Sequence, residues 1–147
     1  MAYKKFNQQL HEQYDKIGRD VVKNFVEASW GFTVKDNPDK YGIDLLLFKG
    51  DDLFGYAEVE VRNSWNTVEF PFKDLNVPQR KKKLLDNPKP TYFFSVNKPL
   101  TALFYCPAEA ILTANLEEQS NRYIASGELF YKVPLSRLMH VKLEETK

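Results

Sequence analysis

The chain has 147 residues, 43% of them hydrophobic and 14% aromatic, with a formal net charge of +1. That composition excludes a disordered chain and supplies the core of one domain over residues 1–147. The near-neutral balance leaves a nucleic-acid partner to be decided by where the charges sit, not by their sum.

From Phe6 to Ala28, apolar residues recur in steps of three and four, which predicts one amphipathic helix, or two interrupted near Gly18. Phe32–Lys35 reads as a short strand and Asp36–Lys40 as a polar loop. Ile43–Phe48 and Gly55–Arg62 read as an antiparallel hairpin across the turn-rich Lys49-Gly50-Asp51-Asp52. The run Leu45-Leu46-Leu47-Phe48 is apolar throughout, as in a strand covered on both faces. Asn63–Asn76 is less regular, with an extended piece expected around Val68–Phe70. Pro78 suits the first turn of a helix running to Leu85, ahead of Asn87-Pro88. Thr91–Val96 and Thr101–Cys106 are strand-like, and Pro107–Leu112 opens another helix. The remainder is mixed. The order predicts an α/β fold with helices flanking one mixed central sheet.

The chemistry-bearing residues lie in the hairpin. Side chains alternate along a strand, so Glu58, Glu60 and Arg62 share one face and Ala57, Val59 and Val61 the other. The hairpin folds Asp44 back alongside this charged row. Like charges so placed repel and raise one another's pKa unless something compensates, and a hard divalent cation does so through carboxylate oxygens. The plainer possibility is a solvent-facing strand with Arg62 offsetting Glu60.

Four segments resemble the PD-(D/E)XK nuclease superfamily, most closely the archaeal-type Holliday junction resolvases and related phage and restriction nucleases. They are Gly18-Arg19-Asp20, Gly31-Phe32-Thr33-Val34-Lys35, Gly42-Ile43-Asp44-Leu45 and Glu58-Val59-Glu60-Val61-Arg62. The resemblance covers roughly residues 17–62 and extends more weakly to about residue 96. It implies a restriction-endonuclease-like fold and a metal-dependent endonuclease acting on DNA, with branched DNA among its candidate substrates. In that picture Asp44, Glu58 and the Val59 carbonyl hold Mg2+ or Mn2+. Glu60 positions or deprotonates water or recruits a second metal, Arg62 or Lys35 binds a phosphate, and Asp20 supports the metal from the helix. The family's Glu-x-Lys lysine is missing: Glu60 stands there if Glu58 is the first acid, and Arg62 if Glu60 is. The first register is the favoured one. Degenerate members of the superfamily bind without cutting, so the alternative is a non-catalytic nucleic-acid-binding or protein-interaction module.

Gln79-Arg80-Lys81-Lys82-Lys83 is the strongest basic run, and Arg80, Lys81 and Lys82 are candidate phosphate contacts. A homodimer is expected, since symmetry presents two sites to two strands. Trp65, Phe70, Phe72 and Tyr92-Phe93-Phe94 fit a core better than a base-stacking surface. Cys106, the single cysteine, sits in an apolar run and reads as a buried thiol. His11 and His140 lack ligand spacing, and no phosphate-loop or dinucleotide glycine motif occurs. No apolar stretch approaches the roughly 20 residues that span a bilayer. Met1–Phe6 lacks the apolar core of a secretory leader, so a cytoplasmic chain is expected.

Overall fold

Helix periodicity at the start of the chain produces one uninterrupted helix, α1 (Gln8–Trp30). A computed structural model describes residues 8–39, 41–121 and 124–143; Phe6, the expected first helical residue, lies outside them. Gly18 does not break α1. It lets the helix approach the sheet, because a Cβ there would stand 2.5 Å from Cγ2 of Val61. The helix stops at Gly31, whose φ of +71° is the left-handed conformation that favours glycine after a helix C-terminus.

Strands β1 (Thr33–Asp36), β2 (Leu45–Lys49) and β3 (Asp52–Arg62) form an antiparallel meander. The chain then leaves the sheet through β4 (Asp74–Pro78), a 3-10 turn (Gln79–Lys81) and α2 (Lys82–Leu85). It returns as β5 (Thr91–Asn97), parallel to β3, and continues through β6 (Ala102–Pro107) and α3 (Ala108–Leu112). Strands β7 (Asn115–Asn121) and β8 (Ile124–Pro134) precede a final edge strand, β9 (Met139–Lys142). The central sheet has the order β1-β2-β3-β5-β6-β9 and is mixed, with β3–β5 its parallel pair. The architecture is α/β, as the sequence predicts.

Each face of that sheet carries its own core. On one, Val22 and Val26 of α1 pack with Leu45, Leu47, Ala57, Phe94, Val96 and Leu103. On the other, a second sheet of order β4-β8-β7, together with α2 and α3, covers β5 and β6. There Leu75, Val77, Leu85, Ile111 and Val133 meet Phe93, Phe104 and Cys106. This second layer stops short of β1 and β2. Leu46 and Phe48 are therefore only half-buried, and the expectation that β2 is covered on both faces is corrected.

Other departures have local causes. Val68 and Phe70 pack on the second core from an irregular segment rather than a strand, with Trp65 Nε1 donating to the Glu69 carbonyl at 3.1 Å. Pro78 ends β4, still paired with Phe130, so the expected Pro78–Leu85 helix shrinks to a 3-10 turn and one α-turn. The C-terminal third holds a β-hairpin that the sequence does not announce. Asn115–Glu118 of β7 are exposed, so no buried-apolar alternation marks that stretch.

The fit of α1 to the sheet gives a test. Gly18→Leu is expected to lower unfolding free energy by about 1–3 kcal/mol through overpacking against Val61. Urea denaturation reads it, and unchanged stability would place α1 elsewhere.

Candidate active site

Asp44 immediately precedes the first β2–β3 ladder pair, Leu45↔Ala57, and so stands beside Glu58. Its backbone N–H donates to Glu58 Oε1 at 3.3 Å, and its carboxylate Oδ2 accepts the Val59 N–H at 2.8 Å. Asp44 thus replaces the ladder partner that β2, which begins only at Leu45, denies to Val59. A residue in an antiparallel ladder points its N–H and C=O to the same neighbour, so the Val59 carbonyl also leaves β3 on the Asp44 side.

The turn before Asp44 fixes its backbone. Asn37 N–H donates to the Asp44 carbonyl at 3.0 Å, and Asn37 Nδ2 to the Ile43 carbonyl at 2.9 Å. Asp39 N–H donates to Asn37 Oδ1, and Tyr41 N–H to Asp39 Oδ1, each at 3.0 Å. These are side-chain turns, the reason Asn and Asp suit such positions.

Glu58 is only 3% exposed. Its Oε2 lies 2.5 Å from Lys81 Nζ, delivered by the 3-10 turn. Burial pushes the Glu58 carboxyl up to about 7, the like charge of Asp44 adds to this, and Lys81 opposes it. One buried carboxyl, one half-buried carboxylate and one ammonium therefore form a cluster. It sits where the second layer ends and the open β1–β2 face begins.

Glu60 points to the same face but has other partners. Its Oε2 accepts from Arg62 Nη2 at 2.8 Å, Arg62 Nε at 3.1 Å and Ser95 Oγ at 2.8 Å. Arg62 Nη2 also donates to the Asn76 carbonyl at 2.8 Å, tying β3 to β4. Of the two glutamates, Glu58 is the one brought to Asp44. Asp20 pairs with Lys16 and Lys23 of its own helix, at 3.1 and 4.0 Å. That helix lies against Val59 and Val61, with the sheet between it and the Glu58 face. Lys35 lies on the Glu58 face, two strands away, with Nζ 5.2 Å from the Phe48 ring centroid.

The basic run divides. Lys81 turns inward, whereas Arg80, Lys82 and Lys83 line an open groove of about 830 Å³ with Gln79, Asp86, Glu128 and Leu129. Arg80 pairs with Glu128 across it. Sequence reasoning placed Lys81 with the outward cations. The missed signal is that Lys81 stands four residues before Leu85, which is 1% exposed, so the two share a helical face. Ser95 was also missed. A hydroxyl in an apolar strand, paired in register with Glu60, is the sign of a buried polar partner. Trp65 is fully buried, as expected of core. Cys106 is buried too, and burial pushes its thiol up to about 12, which fits an inert packing residue.

Among the described residues, no three His, Cys, Asp or Glu side chains converge as a metal-binding group. Asp44, Glu58 and the Val59 carbonyl nevertheless suit Mg2+ or Mn2+ chemically. Hard cations of this size bind through one or two carboxylates and keep several waters.

A titration follows from these contacts. Glu58 has an ordinary pKa of 4.5 and a folded value of about 7, so between them the folded chain holds a proton that the unfolded chain has released. Its contribution to stability is present below the lower value and is lost as pH rises through the upper one. Metal-free protein is expected to melt lower at pH 8 than at pH 5.5 for this reason, and Glu58→Gln to flatten the difference. Mn2+ should restore more stability at pH 8, where no proton competes. Thermal melts at both pH values check this; an Mn2+ shift that persists in Asp44→Asn would remove the acid pair as its origin.

No protein-family model matches the chain, and no curated protein does. Among solved structures, it is similar to Archaeoglobus fulgidus Hjc, a Holliday junction resolvase from an archaeal hyperthermophile. The TM-score is 0.46 and the identity 14%, over 79% of this chain and 84% of that one.

Proposed function

We propose that the chain is a metal-dependent endonuclease hydrolysing DNA phosphodiester bonds, with Asp44, Glu58 and Lys81 at its centre. The observation that carries this reading is the buried Glu58 carboxyl, held between Asp44 and Lys81 where the covered part of the sheet face gives way to the open β1–β2 part. Asp44, Glu58 and the Val59 carbonyl are the groups to hold Mg2+ or Mn2+. When bound, such a cation lowers the pKa of a coordinated water and neutralises charge on the scissile phosphate.

Lys81 supplies the ammonium that the strand motif lacks. Its contact with Glu58 orients the carboxylate and puts positive charge where a phosphate oxygen becomes more negative during hydrolysis. Glu60, tied to Arg62 and Ser95, then acts by holding Arg62 and β4 in place, and so indirectly the turn that carries Lys81. Arg80, Lys82 and Lys83 grip the phosphate backbone outside the cleavage point. Asp20 has no part in this reading, because the sheet separates its helix from Glu58. A homodimer would present two such sites to two DNA strands.

The test is a cleavage assay with Mg2+ or Mn2+ on four-way junction, duplex, single-stranded DNA and RNA. Asp44→Ala and Glu58→Ala are expected to abolish cutting. Lys81→Ala is expected to lower kcat by about a hundredfold or more with KM little changed. Lys82→Ala and Lys83→Ala should instead raise KM and each reduce the log–log salt slope of DNA binding by about 0.9. Folded protein that binds DNA in a salt-dependent way yet cuts none of these substrates would make the chain a binding module.

A further inference from the structure

The three outward cations of the basic run are not equivalent. Arg80 Nη1 donates to Glu128 Oε1, whereas Lys82 and Lys83 enter no ion pair among the described residues. The two halves of the Arg80–Glu128 pair are held differently. Glu128 lies in the β7–β8 ladder opposite Gln119, and its side chain is 21% exposed. Arg80 stands in the 3-10 turn with its side chain 66% exposed. The carboxylate is thus the anchored half, and the guanidinium is the half open to exchange. An exposed ion pair is weak enough for a competing acceptor to replace it. A phosphate oxygen is such an acceptor, since it takes a guanidinium N–H as a carboxylate oxygen does.

We infer that Glu128 is the specificity-determining residue of this groove, a built-in stand-in for phosphate that yields Arg80 only to a continuous phosphodiester backbone. This rests on the reading of Arg80, Lys82 and Lys83 as backbone contacts. A lone phosphate approaching Arg80 must break the pair unaided, against the negative charge of Glu128 and of Asp86 in the same groove. A polynucleotide is already tethered by its phosphates on Lys82 and Lys83. Its adjoining phosphate therefore reaches Arg80 at high effective concentration and displaces the carboxylate. Short cleavage products lose that tether and return Arg80 to Glu128. The groove accordingly takes a long substrate and releases its fragments.

Binding is measured without divalent metal, so that cutting does not intervene. Anisotropy reads a labelled duplex, and an NMR titration reads a dinucleotide with a terminal phosphate. Wild type, Glu128→Gln, Arg80→Ala and the double variant are compared; Gln keeps the shape of the side chain and removes its charge. In wild type the Arg80 Nε–H resonance is expected to shift with duplex and to stay in place with dinucleotide. In Glu128→Gln it should shift with both. Glu128→Gln is expected to tighten dinucleotide binding by about two- to fivefold, and duplex binding by less. In the Arg80→Ala background the same change should give a smaller gain, because it relieves only general repulsion. Equal gains in both backgrounds would make Glu128 an ordinary negative charge. An Arg80 resonance that follows the dinucleotide in wild type would remove its selecting role. Either result overturns the inference while duplex binding stands. Absence of duplex binding in every variant would instead refute the backbone reading, and the inference with it.

Discussion

Burial of Glu58 is the constraint around which this structure is arranged. A carboxyl withdrawn from water beside a second acid is held only if donors and positive charge are brought to it. The fold brings Lys81 from the second layer and the Asp44 N–H from the lead into the neighbouring strand, and just before β2 begins Asp44 turns its own carboxylate toward Val59. Each of these depends on a different element, so the site exists only when the meander, the 3-10 turn and the second sheet are assembled together.

That dependence explains the asymmetry of the two faces. The α1 face is a continuous apolar core from β1 to β6, with Gly18 allowing close contact. The opposite face is covered over β5 and β6 and left partly open over β1 and β2. Glu58 lies at the boundary, dry enough to have its pKa raised and beside an Asp44 that is only half-buried. The same boundary divides the basic run, one ammonium turned to the carboxyls and three cations to the outer groove.

Much of the fold was legible because strand alternation is a local property. Glu58 and Glu60 on one side and Val59 and Val61 on the other can be read directly, and the hairpin that brings Asp44 to them follows from its turn. What sequence left open was tertiary. Glu58 and Glu60 are equivalent by alternation, and only their neighbours, Asp44 and Lys81 for one, Arg62 and Ser95 for the other, tell them apart. Lys81 was hidden among like residues, its direction set by the phase of a single turn. The β7–β8 hairpin was hidden because β7 is held by its ladder, and Asn115–Glu118 are exposed rather than alternately buried.

The most direct test of the central claim is the position of a divalent cation. Crystals grown with Mn2+ would report it by anomalous scattering. A peak bounded by Asp44, Glu58 and the Val59 carbonyl oxygen is expected, and it should be lost in Asp44→Asn. Well-ordered crystals with Mn2+ bound elsewhere, or with no peak between those oxygens, would contradict it.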